Sequence, residues 1–240
     1  MLNKKITMDM THGSLWNKIL MFALPLAASS ILQQLFNSVD TAVVGRFASS
    51  QALAAVGSNS SLISLMINLF IGISLGSNVV IAHYIGQKSE KNIHAAVHTA
   101  IVVAILSGVF VMILGQFIAK PVLLLMGTPE DVIDLAVLYL RIYLIGMPFI
   151  MLYDFGSSIL RSTGDSKRPL YSLIVAGIVN TVLNLILVIV FKLGVSGVAI
   201  ATVISNVVSS SIVMVILMHE SEPIRPVSYT HLRAHETSAH

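Results

Sequence analysis

No cysteine occurs anywhere in the chain. That excludes disulfide frameworks, thiolate metal sites and cysteine nucleophiles. Charge is nearly as scarce, with Asp, Glu, Lys and Arg together making 10% of 240 residues. The sequence has no phosphate-binding glycine loop, no nucleophile paired with a base and no credible metal-ligand spacing, so catalysis is not expected. The formal charge of +3 is small and its basic residues are spread over several connections. That distribution suits membrane orientation, and a nucleic-acid partner is not expected. What fills the chain is apolar, with 55% hydrophobic residues and a mean hydropathy of +0.88. A soluble domain of this size could not hide so much apolar surface, whereas a bilayer can.

Six hydrophobic stretches stand out: Leu15–Val44, Leu53–Ala82, Ala95–Ala119, Ile142–Leu160, Leu170–Phe191 and Val195–Met218. Each reaches the roughly 18 residues that span a hydrocarbon core. The first two, at roughly 45 Å as straight helix, must tilt, bend or project. The polar start Met1–Gly13 followed by so long an apolar run reads as a retained first span, not a cleaved signal peptide. Pro25 removes a backbone donor inside that span and marks a bend. Pro129–Leu140 reads as an interfacial helix entering the fourth span, with Arg141 snorkelling at its edge. Lys4, Lys5, Lys18, Lys88, Lys91, Arg161, Lys167, Arg168 and Arg225 fall on one side of the membrane. Arg46, Lys120, Arg141 and Lys192 fall on the other, an excess that places both termini in the cytoplasm of a multi-pass cell-membrane protein.

Asp40 is the residue that makes this more than a generic membrane chain. It lies near the end of the first span, where an acid either reaches water or has a task. Gln33, Asn37 and Asp40 stand at i, i+4 and i+7 on one helical face, with Gln34 beside them. Such a stripe should face the bundle interior or a water-filled cavity. The plainer alternative is an Asp40 solvated at the outer end. Asn180 and Asn184 share a face of the fifth span, with Gly177 and Thr181 adjacent. Thr202, Ser205, Asn206 and Ser209 repeat the spacing in the sixth, where Ser205 and Ser209 suit packing and interhelical hydrogen bonds. Asn68 and Asp154 are further cavity candidates. Gly72 and Gly76 fit the small-xxx-small packing pattern. Gly164-Asp165 predicts a cytoplasmic turn, with Asp165 capping nearby amides and Pro169 opening the next helix.

Three stretches carry a family resemblance. They are Pro25–Gly57, with Gln34-Leu35-Phe36-Asn37-Ser38-Val39-Asp40-Thr41; Leu160–Pro169, with Arg161-Ser162-Thr163-Gly164-Asp165; and Asn180–Ser205, with Gly194-Val195-Ser196-Gly197. In order and spacing the chain resembles the multidrug and toxic compound extrusion (MATE) transporters from Leu15 to about Met218. The resemblance implies an all-α integral membrane fold of twelve spans in two six-helix lobes. This chain would supply the first lobe, and the second would be its missing partner. It also implies ion-coupled antiport, with H⁺ or Na⁺ entering against an amphipathic or cationic small molecule, and no cofactor beyond that ion. The coupling site carried over is Asp40, Asn180, Asn184 and Thr202. Relatives often hold Asp at the position of Asn184 and Tyr at that of Phe36. An amide cannot titrate, so a two-carboxylate proton site is in doubt. The remaining oxygen donors could also take Na⁺. Rival expectations are a lipid-linked saccharide flippase of the same superfamily and a membrane fragment without transport of its own.

These readings divide the chain into a cytoplasmic start (1–14), a six-span lobe (15–219), the start of an interlobe linker (220–226) and a tail (227–240). The tail's Val227–Thr237 resembles the translation of a transposon adapter used in DNA library preparation. On that resemblance the tail is an artefact, and His231, His235 and His240 are not a metal site.

Overall fold

The long apolar runs become helices because a bilayer leaves no partner for backbone N–H and C=O groups except each other. A computed structural model describes residues 15–220 and 223–226. The expected N-terminal segment 1–14 and the tail 227–240 lie outside the described residues. Seven α-helices follow in order: α1 Leu15–Phe47, α2 Ser50–Gly86, α3 Glu90–Leu125, α4 Ile133–Ile145, α5 Met147–Ser162, α6 Lys167–Leu185 and α7 Gly194–Met218. A π turn, Ile186–Val190, continues α6. Five helices are long and apolar enough to cross a membrane, and α4 with α5, bent by 46° between them, give a sixth when the pair is counted as one broken span. The protein is an all-α membrane lobe.

α1, α2 and α3 hold 33, 37 and 36 residues, beyond the apolar runs read from the sequence. Their polar ends continue the helix past the hydrocarbon, so hydropathy alone underestimates them. The α1–α2 junction is short, and Ser49 caps α2 by accepting from Ala52 N at 3.2 Å.

The fourth span departs from expectation. It does not begin near Ile142 behind an interfacial helix. α4 is under way at Ile133, and Ile133, Ala136, Val137, Tyr139, Leu140, Tyr143 and Leu144 are buried. The apolar face of this segment turns inward against α2, α3 and α7. Arg141 lies inside α4 on its exposed side, its carbonyl accepting from Gln116 Nε2 at 3.0 Å. The helix breaks at Gly146, and α5 begins with Met147-Pro148. Pro148 cannot donate to an α-helical carbonyl, so the chain redirects there. α3 closes on the break through Gly108, where an added Cβ would lie 2.5 Å from Pro148 Cα.

α5 is the central helix, buried over most of its length and packed against α2, α3 and α7. Its end is a two-bond C-terminal cap: Gly164 N donates to Arg161 O at 2.9 Å and Asp165 N to Leu160 O at 3.2 Å. Gly164 adopts φ +85°, a left-handed value that glycine takes without strain. Asp165 then opens α6, its Oδ1 accepting from Lys167 N at 3.0 Å and Arg168 N at 3.1 Å. Arg168 bonds both Asp165 and Glu220, tying the α5–α6 turn to the end of α7.

A second departure concerns Gly72 and Gly76. Outside their own stretch of helix, nothing lies within 4 Å of a Cβ built at either, so their small faces pack against no other described helix of this lobe. Close approach occurs instead at Gly108, Gly115, Gly156 and Gly177.

Candidate functional site

Three helices bring the site together. α1 supplies Asp40, α6 supplies Asn180 and Asn184, and α7 supplies Thr202. α6 packs on both of the others. Asp40 is buried at 6% exposure, so it is not the solvated outer-end acid of the plainer alternative. Asn184 Nδ2 donates to Asp40 Oδ1. Thr202 Oγ1 is 3.3 Å from Asp40 Oδ2, and also donates within reach of Val198 O at 3.0 Å. Asn184 Nδ2 reaches Asn180 Oδ1 at 3.1 Å, and Asn180 Nδ2 reaches Thr202 Oγ1 at 3.5 Å. The four residues named from the sequence therefore form one hydrogen-bonded group.

One atom in the group is left over. Asn184 is fully buried, and its Oδ1 has no hydrogen-bond partner. A buried amide oxygen without a donor is costly, and such an orphan asks for a cation or a proton donor. Asp40, Asn180 Oδ1, Asn184 Oδ1 and Thr202 Oγ1 are hard oxygen donors suited to a small monovalent cation. Two residues beyond Asn184 the helix loosens into the π turn, with Phe191 N donating to Ile186 O at 3.1 Å. π turns of this kind often accompany functional sites.

Asp40 stands on the walls of two cavities. One, of about 320 Å³, is lined by every cavity candidate read from the sequence: Gln33, Gln34, Asn37, Asn68 and Asp154. Asn180, Thr202, Ser205, Asn206 and Ser209 also line it. The hydroxyls of Ser205 and Ser209 bond carbonyls of their own helix, Thr202 O and Asn206 O. The second cavity, of about 450 Å³, is bounded by Asp40, Thr41, Ser60, Ser64, Tyr139 and Tyr143. α1 runs unbroken across Pro25, whose carbonyl accepts from Ser29 Oγ at 2.8 Å.

Tyr139 and Tyr143 are site residues that the sequence reading missed. They sit one turn apart on α4, buried, with ring centroids 6.1 Å apart. Their i, i+4 spacing was visible, but the expected boundary near Ile142 split the pair, leaving Tyr139 in an interfacial helix and Tyr143 in the span. Asn59 was missed too. Fully buried, it donates from Nδ2 to Ala136 O at 3.0 Å and fixes α4 against α2. Among the described residues, no group of three or more His, Cys, Asp or Glu side chains could hold a metal ion.

Comparison with known proteins places this geometry. Residues 25–186 match the MatE family. The chain is 37% identical over 224 residues to "Probable multidrug resistance protein YoeA" of Bacillus subtilis (strain 168), covering 92% of this chain and 48% of that protein. It is 29% identical over 198 residues to "Probable multidrug resistance protein YpnP" of the same organism, covering 82% of this chain and 44% of that protein. A crystal structure of MATE in the bent conformation superposes with a TM-score of 0.82 at 25% identity, over 92% of this chain and 50% of that one. The chain thus spans about half the length of the relatives it matches.

Proposed function

The chain belongs to the MatE family, a family of membrane transporters, and from that membership we propose that it forms the ion-binding lobe of a secondary-active multidrug exporter. Inward movement of H⁺ or Na⁺ drives outward movement of an amphipathic or cationic small molecule. Two six-helix lobes rock about a shared cavity to give alternating access. Both termini of this lobe lie in the cytoplasm, a reading supported by the basic excess on that side.

The orphaned Oδ1 of Asn184 beside the Asp40 carboxylate carries the proposal. Asn184 now points its NH₂ at Asp40, the orientation an ionised, ion-free carboxylate requires. Either coupling ion adds a demand for oxygen acceptors around that carboxylate. A protonated Asp40 needs an acceptor, and a bound Na⁺ needs another oxygen ligand. The unpartnered Asn184 Oδ1 and the Thr202 hydroxyl oxygen are the acceptors beside Asp40 that can meet that need. Ion loading is thereby felt on α6 and, through Asn180 and Thr202, on α7. A lobe that binds the ion differently in its two conformations converts this into a bias between them.

The test is Asp40→Asn in the full-length transporter that carries this lobe, reconstituted in proteoliposomes. Efflux driven by imposed H⁺ and Na⁺ gradients is measured separately. Gradient-driven efflux should vanish, and the gradient that drives the unmodified protein names the ion. Undiminished efflux from Asp40→Asn under that gradient refutes the proposal.

A further inference from the structure

α2 and α3 are joined by a tight turn, residues 87–89, and between them they leave an open groove of about 470 Å³. Ile81 and Ala100, both buried, form its floor. Gly76, Ala95 and Thr99 keep its walls low, and no other helix fills the space where Gly76 lacks a side chain. Along α3 the lining runs from Asn92 to Val103, roughly 16 Å of helix. One leaflet holds about 15 Å of hydrocarbon. The groove thus has the length and the apolar surface for one acyl chain.

The mouth of the groove is polar and positively charged. Tyr84 and Asn92 line the end nearest the turn. Lys88 lies in the turn and Lys91 in the first turn of α3, both exposed. Between residues 83 and 94 Glu90 is the only acid, so the lysines leave an excess of one positive charge. His83 is engaged with Gln87 at 3.0 Å, and His94 is half-buried. Among the described residues neither lysine is in an ion pair. Lys88 also closes α2 with a two-bond cap: Lys88 N donates to Ile85 O at 3.0 Å and Ser89 N to Tyr84 O at 3.1 Å. Its φ is +55°, at the position that Gly164 holds without strain at the end of α5. A lysine there gives up stability and sets a charge at the mouth of the groove.

We propose that the α2–α3 groove seats one chain of an anionic phospholipid, whose phosphate is held by Lys88 and Lys91. The excess of one positive charge matches a headgroup with one negative charge, such as that of phosphatidylglycerol. A helix packed into the groove would account for the small residues but not for a lysine held in a glycine conformation.

The experiment uses the full-length transporter in nanodiscs. This lobe has no cysteine, so Val103→Cys, in a protein whose other cysteines have been replaced, takes a bimane fluorophore at the deep end of the groove. Phospholipids with brominated chains, diluted into unbrominated phosphatidylcholine, quench bimane on contact. Brominated phosphatidylglycerol should reach half-quenching at a mole fraction about tenfold or more below that of brominated phosphatidylcholine, the combined weight of two lysines at the surface. Lys88→Gln with Lys91→Gln should erase that preference, since glutamine keeps the chain length and loses the charge. Ala95→Phe, at an exposed wall position, should fill the groove and abolish quenching at low phosphatidylglycerol fractions while both lysines remain. Equal quenching by the two lipids in the unmodified protein, which marks bulk lipid only, overturns the proposal. A preference that survives the double lysine substitution, or quenching unaffected by Ala95→Phe, does so too. No quenching by either lipid at any fraction shows the groove covered by the second lobe or a second copy, and overturns it as well. Both leaflets carry the same lipids and no gradient is imposed, so the outcome is independent of orientation and of the coupling proposed for Asp40.

Discussion

Replacing Gly177 with Ala sets the packing of Phe36 against the cavity beside it. An added Cβ at Gly177 would fall 1.7 Å from Phe36 Cζ, 2.2 Å from Cε1 and 2.3 Å from Cε2. Carbon contacts settle near 3.5–4.0 Å, so the ring edge must retreat by about 2 Å. The obstacle is the far end of a side chain that is only partly buried and lines the cavity, so the ring can turn into that space. Overpacking a core costs roughly 1–3 kcal/mol, and the open side puts this case near the lower end, at about 1 kcal/mol. The larger effect should be on ligand binding, because the displaced ring enters a cavity of about 320 Å³. Phe36→Leu in the same protein should restore both quantities, since it removes the ring. The assay is a double-mutant cycle over Gly177→Ala and Phe36→Leu, reading the thermal midpoint and ethidium affinity of the full-length transporter. Contacting residues give interaction energies of about 0.5–3 kcal/mol, and independent ones add to within about 0.5 kcal/mol. An additive cycle in both readouts refutes the claim that α1 and α6 meet through this ring.

Two further outcomes follow from buried polar contacts. Asn59→Ala removes the donor to Ala136 O at 3.0 Å but also removes an Oδ1 that has no partner, so the net loss should be about 1 kcal/mol. A thermal midpoint equal to or above that of the unmodified protein would count against Asn59 as the tie between α2 and α4. Asp165→Ala deletes the acceptor for Lys167 N and Arg168 N and one partner of Arg168, with a cap loss of about 1 kcal/mol. Trypsin should then cut after the exposed Lys167 faster than in the unmodified protein, and an unchanged cleavage rate would show that the turn does not depend on this cap.

The spans were legible because apolar length is a direct consequence of bilayer thickness. Asp40 was legible because an acid in such a run is expensive. Asn180 and Asn184 announced a shared face by spacing, but spacing says nothing about which helix that face meets. Their meeting with Asp40 and Thr202 came from the family resemblance. The fourth span was misread because the charge of Arg141 was taken as its outer edge, whereas the apolar run and the helix with its buried face start at Ile133. The pairing of Tyr139 with Tyr143 was lost with it. Gly72 and Gly76 carry a packing pattern without a packing partner in this lobe, since a pattern marks the capacity for close approach and not the neighbour. The π turn after Leu185 had no compositional signal, because Ile186–Val190 would suit an α-helix equally well.

The break at Gly146 looks at first like a joint. Yet a Cβ on Gly146 would meet Tyr143 O at 3.1 Å and Val203 Cγ2 at 3.2 Å, and Gly108 presses on Pro148 from the other side. A joint so crowded leaves little room for play, because dense interiors transmit displacement more than they absorb it. Mechanically the pair is a bell crank. One arm carries the tyrosines near Asp40, the other carries Asp154, and a break packed this closely is suited to passing displacement between them.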